Sequence, residues 1–206
     1  MNRGSYMEKG KIICSSHEKQ RCEWVTADRL YQEYHDTEWG VPQYDDDVLF
    51  EFLILEGLQA GLSWITVLKK REFYREVLDE FTASKMAVYN TEKMVQLMSD
   101  TRLIRNSLKM KAIVKNANAF LQVQAQTGSF SNYIWQFIGG KPRQNTWSSL
   151  GEVPTQTPES DAMSRDLKKR GFSFVGPTIC YAYMQAVGMV NDHVIHCFRH
   201  QELMKE

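Results

Sequence analysis

Several common sequence features are missing from this chain of 206 residues, and each absence narrows what the protein can be. No apolar run approaches the roughly 18 residues that a membrane-spanning helix needs, and the polar stretch 1–20 lacks the apolar core of a secretory signal. Charge of one sign is not in excess, because 25 Lys and Arg residues balance 25 Asp and Glu residues. We therefore expect a cytoplasmic protein that does not bind membranes and does not hold nucleic acid by net charge alone.

Alternating strand patterns, internal repeats and low-complexity tracts are also missing, whereas helical spacing of apolar residues is frequent. Met110, Ile113, Ala117 and Phe120 share one face of a predicted helix, and Gly128 lies just beyond its expected end. The sequence therefore predicts an all-α fold.

Capping residues mark the expected starts of further helices. Asp45 precedes the apolar run 48–58, and Ser63 precedes a short helix. Ser160 is expected to cap a helix that ends at Arg170.

Proline is scarce, and its distribution indicates the organisation of the chain. Three of the five prolines fall within residues 139–158, which predicts a long loop between two helical blocks. We expect one helical domain over residues 21–200, a loose and disordered leader over residues 1–20, and a short tail over residues 201–206.

Residues 161–188 are typical of two helices joined by a short turn, a helix–hairpin–helix. Gly171 and Gly176 bound the turn, and Pro177 favours the start of the second helix. The N–H groups at the start of a helix can hold a DNA phosphate, and the basic cluster 168–170 lies just before the turn. A simple pair of packed helices without a ligand fits these residues equally well.

The chain contains four cysteines, an even number that permits disulfides, but metal binding or burial is the commoner role in a cytosolic protein. Cys22 and His35 lie near the N-terminus. His193 and Cys197 lie four residues apart near the C-terminus, a spacing that places both side chains on one face of a helix. Two Cys and two His residues close a tetrahedral site without an open position, as in a structural Zn²⁺ site that would clip the chain ends together. Rival ligands are Cys14, His17, His196 and His200.

Aromatic and acidic residues are dense in the first third of the chain. Glu56 ends the apolar run 49–56, so its carboxylate either reaches water or faces a cavity. An exposed glutamate and ordinary core aromatics fit the same pattern. The residues concerned are Tyr31, Tyr34, Glu38, Trp39, Glu56 and Trp64.

Three longer motifs are more specific. They are YHDxEWGVP at residues 34–42, LEGxQAGLSWxTxLKKR at residues 55–71 and KRGFxFVGxT at residues 169–178. In this order they resemble the DNA-3-methyladenine glycosylase I family of the helix–hairpin–helix superfamily, from about residue 21 to residue 198. The resemblance implies a bacterial repair enzyme that hydrolyses the N-glycosidic bond of 3-methyladenine in alkylated double-stranded DNA, releases the base and acts as a monomer.

The resemblance also implies roles for individual residues. A structural Zn²⁺ ties the N- and C-terminal segments through the four residues already singled out, Cys22, His35, His193 and Cys197. The flipped base enters an aromatic and acidic pocket with Glu56 as the catalytic residue, formed by Tyr34, Glu56, Trp64, Trp39, Tyr31 and Trp24. The residues expected to contact the DNA backbone are Lys169, Arg170, Gly171, Gly176 and Thr178.

Two features of the superfamily are missing. Many members carry an essential aspartate shortly after the second hairpin helix, where this chain has Asn191, and bifunctional members carry a lysine where it has Pro177 and Thr178. The sequence therefore predicts a monofunctional glycosylase without lyase activity. Three alternatives stay open: a binding module without catalysis, a bifunctional glycosylase, and a zinc hydrolase, which would need an open metal position.

Overall fold

The structure is a computed structural model that describes residues 19–205. Two of the rival metal ligands, Cys14 and His17, therefore lie outside the described residues, and so does most of the predicted leader over residues 1–20. The described part of the chain folds into helices α1 to α11 and two very short strands. The helices are α1 Arg29–Thr37, α2 Asp46–Gln59, α3 Trp64–Leu68, α4 Arg71–Val77, α5 Ala83–Met86, α6 Thr91–Ser99, α7 Ser107–Thr127, α8 Phe130–Trp135, α9 Pro158–Lys169, α10 Pro177–Ala186 and α11 Phe198–Leu203.

The predominantly helical class is confirmed, with one small addition. Strands β1 (Arg143–Gln144) and β2 (Val190–Asn191) form a parallel pair that joins the long loop to the segment after α10. Two residues are too few to produce an alternating pattern, so the sequence carried no signal for this pair.

Local signals set most of the helix ends. The Asp45 carboxylate accepts hydrogen bonds from the backbone N–H groups of Asp47 and Val48, and Gly128 ends α7 with φ 83°. The prediction that Ser160 caps α9 is wrong. Thr157 caps this helix in a reciprocal capping box with Ser160, so the helix begins at Pro158.

Helix α2 is the centre of the fold, and it contacts α3, α7, α8 and α10. Its residues Leu49, Phe50 and Leu55 are completely buried, and so is the end of the helix around Leu58. A helix buried on all sides is normally apolar on all sides. The carboxyl group of Glu56, 3% exposed on this helix, is therefore a departure that packing alone does not explain.

Helices α9 and α10 pack against each other and are joined by residues 170–176. Phe172 and Val175 bury their side chains beneath this connection. Asn116 of α7 holds it in place, since its side chain donates to the Ser173 carbonyl oxygen and accepts from the Ser173 N–H. The start of α10 is thus fixed against the body of the protein.

The segment after α10 passes very close to the chain between α1 and α2. A Cβ atom at Gly188, where φ is +69°, would lie 2.3 Å from the Val41 carbonyl carbon. Only glycine fits this crossing. Within residues 19–205, no helix has the length and apolar character needed to cross a bilayer.

Candidate active site and metal centre

Cys22, His35, His193 and Cys197 come together as a buried cluster, with their ligand atoms all within 4.8 Å of one another. The Cys197 sulfur lies 3.4 Å from His35 Nε2 and 3.5 Å from His193 Nδ1, and the Cys22 sulfur lies 3.5 Å from His193 Nδ1. In a tetrahedral Zn²⁺ site, bonds of about 2.3 Å to sulfur and 2.0 Å to nitrogen place sulfur and nitrogen ligands about 3.5 Å apart. These four residues therefore fit a tetrahedral metal ion.

The groups around the cluster also suit metal ligation. His35 Nδ1 lies 2.8 Å from an Asp36 carboxylate oxygen, and His193 Nε2 lies 3.0 Å from the Trp39 carbonyl oxygen. Such contacts fix the tautomer of each ring and aim the other nitrogen at the ion. The hydrogen bond from the Cys22 thiol lowers the pKa of Cys197, whereas the same contact and then burial raise the pKa of Cys22. The two sulfurs thus share a proton, which a cation bound between them would displace.

The prediction that His193 and Cys197 lie on one helix is wrong, because the chain turns between them and α11 begins only at Phe198. The turn nevertheless brings both ligand atoms to the same point. Two rivals are excluded from the cluster: His196 is exposed, and the His200 ring bonds to the Asn145 carbonyl oxygen.

A cavity of about 250 Å³ opens beside this cluster, and all six residues predicted for the base pocket line it. Helix α1 contributes Tyr31 and Tyr34, α2 contributes Glu56 at its buried end, and α3 contributes Trp64. Six further residues complete the lining and were not predicted as pocket residues: Gln59, Leu150, Val153, Ala182, Gln185 and Asp192.

Glu56 is the most unusual group in the cavity. One of its oxygens, Oε2, is buried and accepts no hydrogen bond from the residues that the structure describes. Burial raises the pKa of Glu56 to about 8, because removal from water disfavours the carboxylate. A carboxyl group in this state gains from any bound ligand that supplies a donor or a positive charge.

Tyr34 and Trp64 complete the inner end of the cavity. Burial, and then the nearby charge of Glu56, hold the pKa of Tyr34 well above its usual value, so its hydroxyl remains a donor. The Tyr34 and Trp64 rings are tilted, with centroids 5.4 Å apart. Trp64 Nε1 is buried and, among residues 19–205, has no acceptor.

The aromatic wall of the cavity rests directly on the metal cluster. Trp24 lies 5.0 Å, between ring centroids, from both Tyr31 and Trp39. Trp24 also contacts the ring of His35 at 5.2 Å, and Trp39 contacts that of His193 at 4.6 Å. The position of this wall therefore depends on the histidines of the cluster.

Glu38 lies behind the cavity rather than in its lining. Its carboxylate accepts a hydrogen bond from the guanidinium of Arg71, which is 8% exposed and also bonds to Glu51. Glu38 is thus part of an ion-pair network that supports α1 and α2.

The five residues predicted to contact the DNA backbone lie at the end of α9, in the connection and at the start of α10. Lys169 and Thr178 are exposed, and Gly176 is the N-cap of α10. Gly171 adopts φ 97°, which glycine accommodates without strain. Arg170 is engaged within the protein, because its guanidinium bonds to Asp166 at 2.6 Å, to Gln126 at 2.9 Å and covers the Tyr133 ring.

The cavity around Glu56 is called the base cavity below, after its predicted role. A second cavity of about 360 Å³ connects it to the start of α10. It shares Leu150, Val153, Ala182 and Gln185 with the base cavity, and it extends to Thr178. A continuous concave surface therefore runs from Glu56 to the start of α10.

Comparison with known proteins agrees with this geometry. The sequence profile described as methyladenine glycosylase matches residues 24–200. DNA-3-methyladenine glycosylase 1 of Escherichia coli K12 is 51% identical over 178 residues, covering 86% of this chain and 95% of that protein. DNA-3-methyladenine glycosylase of Haemophilus influenzae is 49% identical over 177 residues, covering 86% and 96%.

A solved structure gives the same result. The 3-methyladenine DNA glycosylase I of Staphylococcus aureus, described for its recognition of 3-methyladenine, has a TM-score of 0.84 and 35% identity, covering 86% of this chain and 95% of that one. The matched residues 24–200 include every residue of the base cavity and three of the four residues of the metal cluster, all but Cys22. The chain therefore belongs to the methyladenine glycosylase family and is a DNA glycosylase.

Proposed function

We propose that this enzyme hydrolyses the N-glycosidic bond of 3-methyladenine in alkylated double-stranded DNA. The observation that carries the proposal is the buried Glu56 carboxyl group with an unsatisfied oxygen, set in an aromatic cavity of about 250 Å³. The names and the described ligand recognition of the relatives support the same substrate.

Recognition of the base follows from its charge. N3-methylation gives the purine a formal positive charge while it is attached to the sugar. A base flipped out of the duplex can place this ring against Trp64, a cation–π contact of up to about 2 kcal/mol when desolvated. Glu56 accepts a hydrogen bond from the exocyclic amine, and the Tyr34 hydroxyl donates to the edge of the base.

Discrimination against normal adenine uses the same carboxyl group. A cationic base stabilises the Glu56 carboxylate, which burial disfavours in the empty cavity. A neutral adenine supplies no such charge, so Glu56 keeps its proton beneath it and no ion pair forms. The favourable charge interaction, made only with a cationic base, supplies the selectivity.

The chemistry requires little from the protein beyond this binding. The positive charge already weakens the glycosidic bond, and the base leaves as a neutral molecule. No lysine lines the cavity among the described residues, and Pro177 and Thr178 open α10. We therefore propose a monofunctional hydrolysis with water as the nucleophile, without a Schiff-base intermediate.

The cluster of Cys22, His35, His193 and Cys197 is proposed to hold a structural Zn²⁺. Four protein ligands complete the tetrahedral coordination of such an ion and leave no position for a water molecule, so the proposed role of the ion is structural. The ion would crosslink the segment before α1 to the segment before α11 and so stabilise the wall formed by Trp24 and Trp39.

The exposed surface at α9 and α10 is proposed to bind the DNA backbone as a helix–hairpin–helix. The N–H groups at the start of α10 suit a phosphate, and Lys169 adds charge beside them. Phosphate contacts position a protein on DNA, so this surface would align the duplex with the cavity. A monomeric state and a bacterial cytoplasmic location stay predictions.

The decisive experiment incubates the purified enzyme with methylated duplex DNA and identifies the released base by chromatography. We expect free 3-methyladenine, and we expect no covalent complex after treatment with borohydride. Lesion binding without base release would support a binding module instead. A borohydride-trapped complex would identify a bifunctional glycosylase and overturn the monofunctional proposal.

A further inference from the structure

Asp192 is a buried carboxylate in the wall of the base cavity, and four neutral groups donate hydrogen bonds to it. Oδ1 accepts from Asn145 Nδ2 at 2.7 Å and from Trp147 Nε1 at 2.8 Å. Oδ2 accepts from the Tyr181 hydroxyl at 2.7 Å and from Gln185 Nε2 at 2.8 Å. Because each oxygen of a carboxylate offers two lone-pair sites, these donors fill the acceptor capacity of Asp192.

This arrangement fixes which way the side-chain amide of Gln185 points. The two ends of an amide have nearly the same shape, so the hydrogen-bond partners decide its orientation. An ionised carboxylate accepts but cannot donate, so Gln185 turns Nε2 toward Asp192 and keeps the carbonyl oxygen, Oε1, at the opposite end of the amide. Gln185 lines the cavity, so the end of its amide that is not bonded to Asp192, available to a bound molecule, is an acceptor rather than a donor.

Gln185 also lies between the proposed base site and the proposed backbone site. Thr178, Ala182 and Gln185 follow one face of α10 at helical spacing, over about 10 Å. The two cavities meet at Ala182 and Gln185. If the DNA backbone contacts the start of α10 and the base lies between Glu56 and Trp64, as proposed above, the deoxyribose would lie beside Gln185.

We propose that Gln185, oriented by Asp192, holds the water molecule that attacks C1′ of the deoxyribose. This inference rests on the proposed function and assigns a residue to its second step. The C1′–N9 bond breaks, and its electron pair passes to the cationic base, which leaves as neutral 3-methyladenine. The water oxygen forms the new bond to C1′, and one water proton is lost to solvent through the open second cavity.

The role of Gln185 in this step is to orient the water rather than to take its proton. Its Oε1 accepts a hydrogen bond from the water and so directs a lone pair of the water oxygen toward C1′. An amide oxygen is a very weak base, and the step does not need a stronger one because the leaving base is already neutralised. Asp192 acts as a positioning residue, since it contacts Gln185 rather than the reacting atoms.

The test uses the full-length enzyme and the variant Gln185→Met, which keeps the side-chain length and removes the acceptor. The matched control is Gln122→Met, at an exposed position of α7. Three quantities are measured: the single-turnover rate of 3-methyladenine release from methylated duplex DNA, the affinity for free 3-methyladenine from tryptophan fluorescence, and the ratio of methanol to water addition at C1′ in buffer containing methanol. The last ratio is read by mass spectrometry of the cleaved sugar.

We expect Gln185→Met to lower the single-turnover rate by about tenfold, the effect of one hydrogen bond lost in the transition state. The affinity for the free base should stay within about twofold. The share of methanol addition should rise, because nucleophiles that the protein does not hold react in proportion to their concentrations in solution. Gln122→Met should match the wild type in all three measurements. A rate drop accompanied by an equal loss of base affinity, with an unchanged methanol share, would overturn the proposal and make Gln185 a wall of the pocket.

Measurements on the wild-type enzyme distinguish a failure of this inference from a failure of the proposed function. If the wild type releases no 3-methyladenine, the proposed function fails. If the wild type is active and Gln185→Met has a wild-type rate and methanol share, only the role of Gln185 fails. In Asp192→Asn the amide of Gln185 is free to adopt either orientation, so a folded Asp192→Asn protein with wild-type kinetics would refute the orienting role of Asp192.

Discussion

Replacing Glu56 by glutamine should make the stability of the protein less sensitive to rising pH while it removes activity. Burial raises the pKa of Glu56 to about 8 from an ordinary value of 4.5, so the folded protein holds this proton more tightly than the unfolded chain. Between about pH 4.5 and pH 8 the unfolded chain loses the proton and the folded protein keeps it. The free energy of unfolding therefore falls as the pH rises through this window.

The size of the effect follows from the same shift. The full shift corresponds to roughly 5 kcal/mol above pH 8, and about 3 kcal/mol of it is already lost at pH 7. Glutamine does not titrate, so Glu56→Gln should gain stability over the wild type as the pH rises. For a protein of this size, 3 kcal/mol corresponds to a difference in Tm of roughly 6–12 °C.

The assay is thermal unfolding of both proteins near pH 4 and pH 8, together with release of 3-methyladenine from methylated DNA. The buried amide of glutamine also needs partners, so the change in the Tm difference between the two pH values is the quantity to compare. The exposed Glu33 of α1 provides the control, Glu33→Gln, which should show no comparable pH dependence. An unchanged Tm difference between the two pH values, or full activity of Glu56→Gln, would refute the reasoning.

Three further predictions concern the rest of the molecule. Cys197→Ser, or chelation of the metal, should lower the Tm and change the fluorescence of Trp24 and Trp39. Metal analysis should find one Zn²⁺ per folded chain, and a metal-free protein with an unchanged Tm would contradict this prediction. Gly188→Ala should give little folded protein on expression, because its Cβ would lie 2.3 Å from the Val41 carbonyl carbon, and a wild-type Tm would show that this crossing can relax. Lys169→Glu should weaken DNA binding and reduce its salt dependence, whereas Lys111→Glu on α7 should not; equal effects would count against a backbone contact at Lys169.

Helix ends are predictable from the sequence where one short segment determines them. Asp45 caps α2 and Gly128 ends α7, and both are readable because the capping group lies next to the backbone it satisfies. The start of α9 was predicted wrongly, because Thr157 and Ser160 are both good caps and their reciprocal contact determines which one begins the helix.

Residues of the candidate site were likewise predictable only where a local motif marks them. The motif-bearing residues of α1, α2 and α3 meet in one cavity, as predicted, whereas Gln185 and Asp192 had no distinctive local pattern. Their placement depends on α10 packing against α2 and on Trp147 reaching across from the long loop. Helical spacing from Thr178 was the one signal that pointed to Gln185, and it becomes informative only once the cavity is known.

The wall behind the base cavity is supported from both ends of the described chain, because Trp24 packs against His35 and Trp39 packs against His193. During synthesis on the ribosome, His193 and Cys197 emerge long after Trp24 and Trp39. A nascent chain that stops short of His193 therefore lacks one of the two imidazole rings on which this wall rests. We expect such a truncated chain to hold the cavity residues of α1, α2 and α3 less firmly than the full chain does.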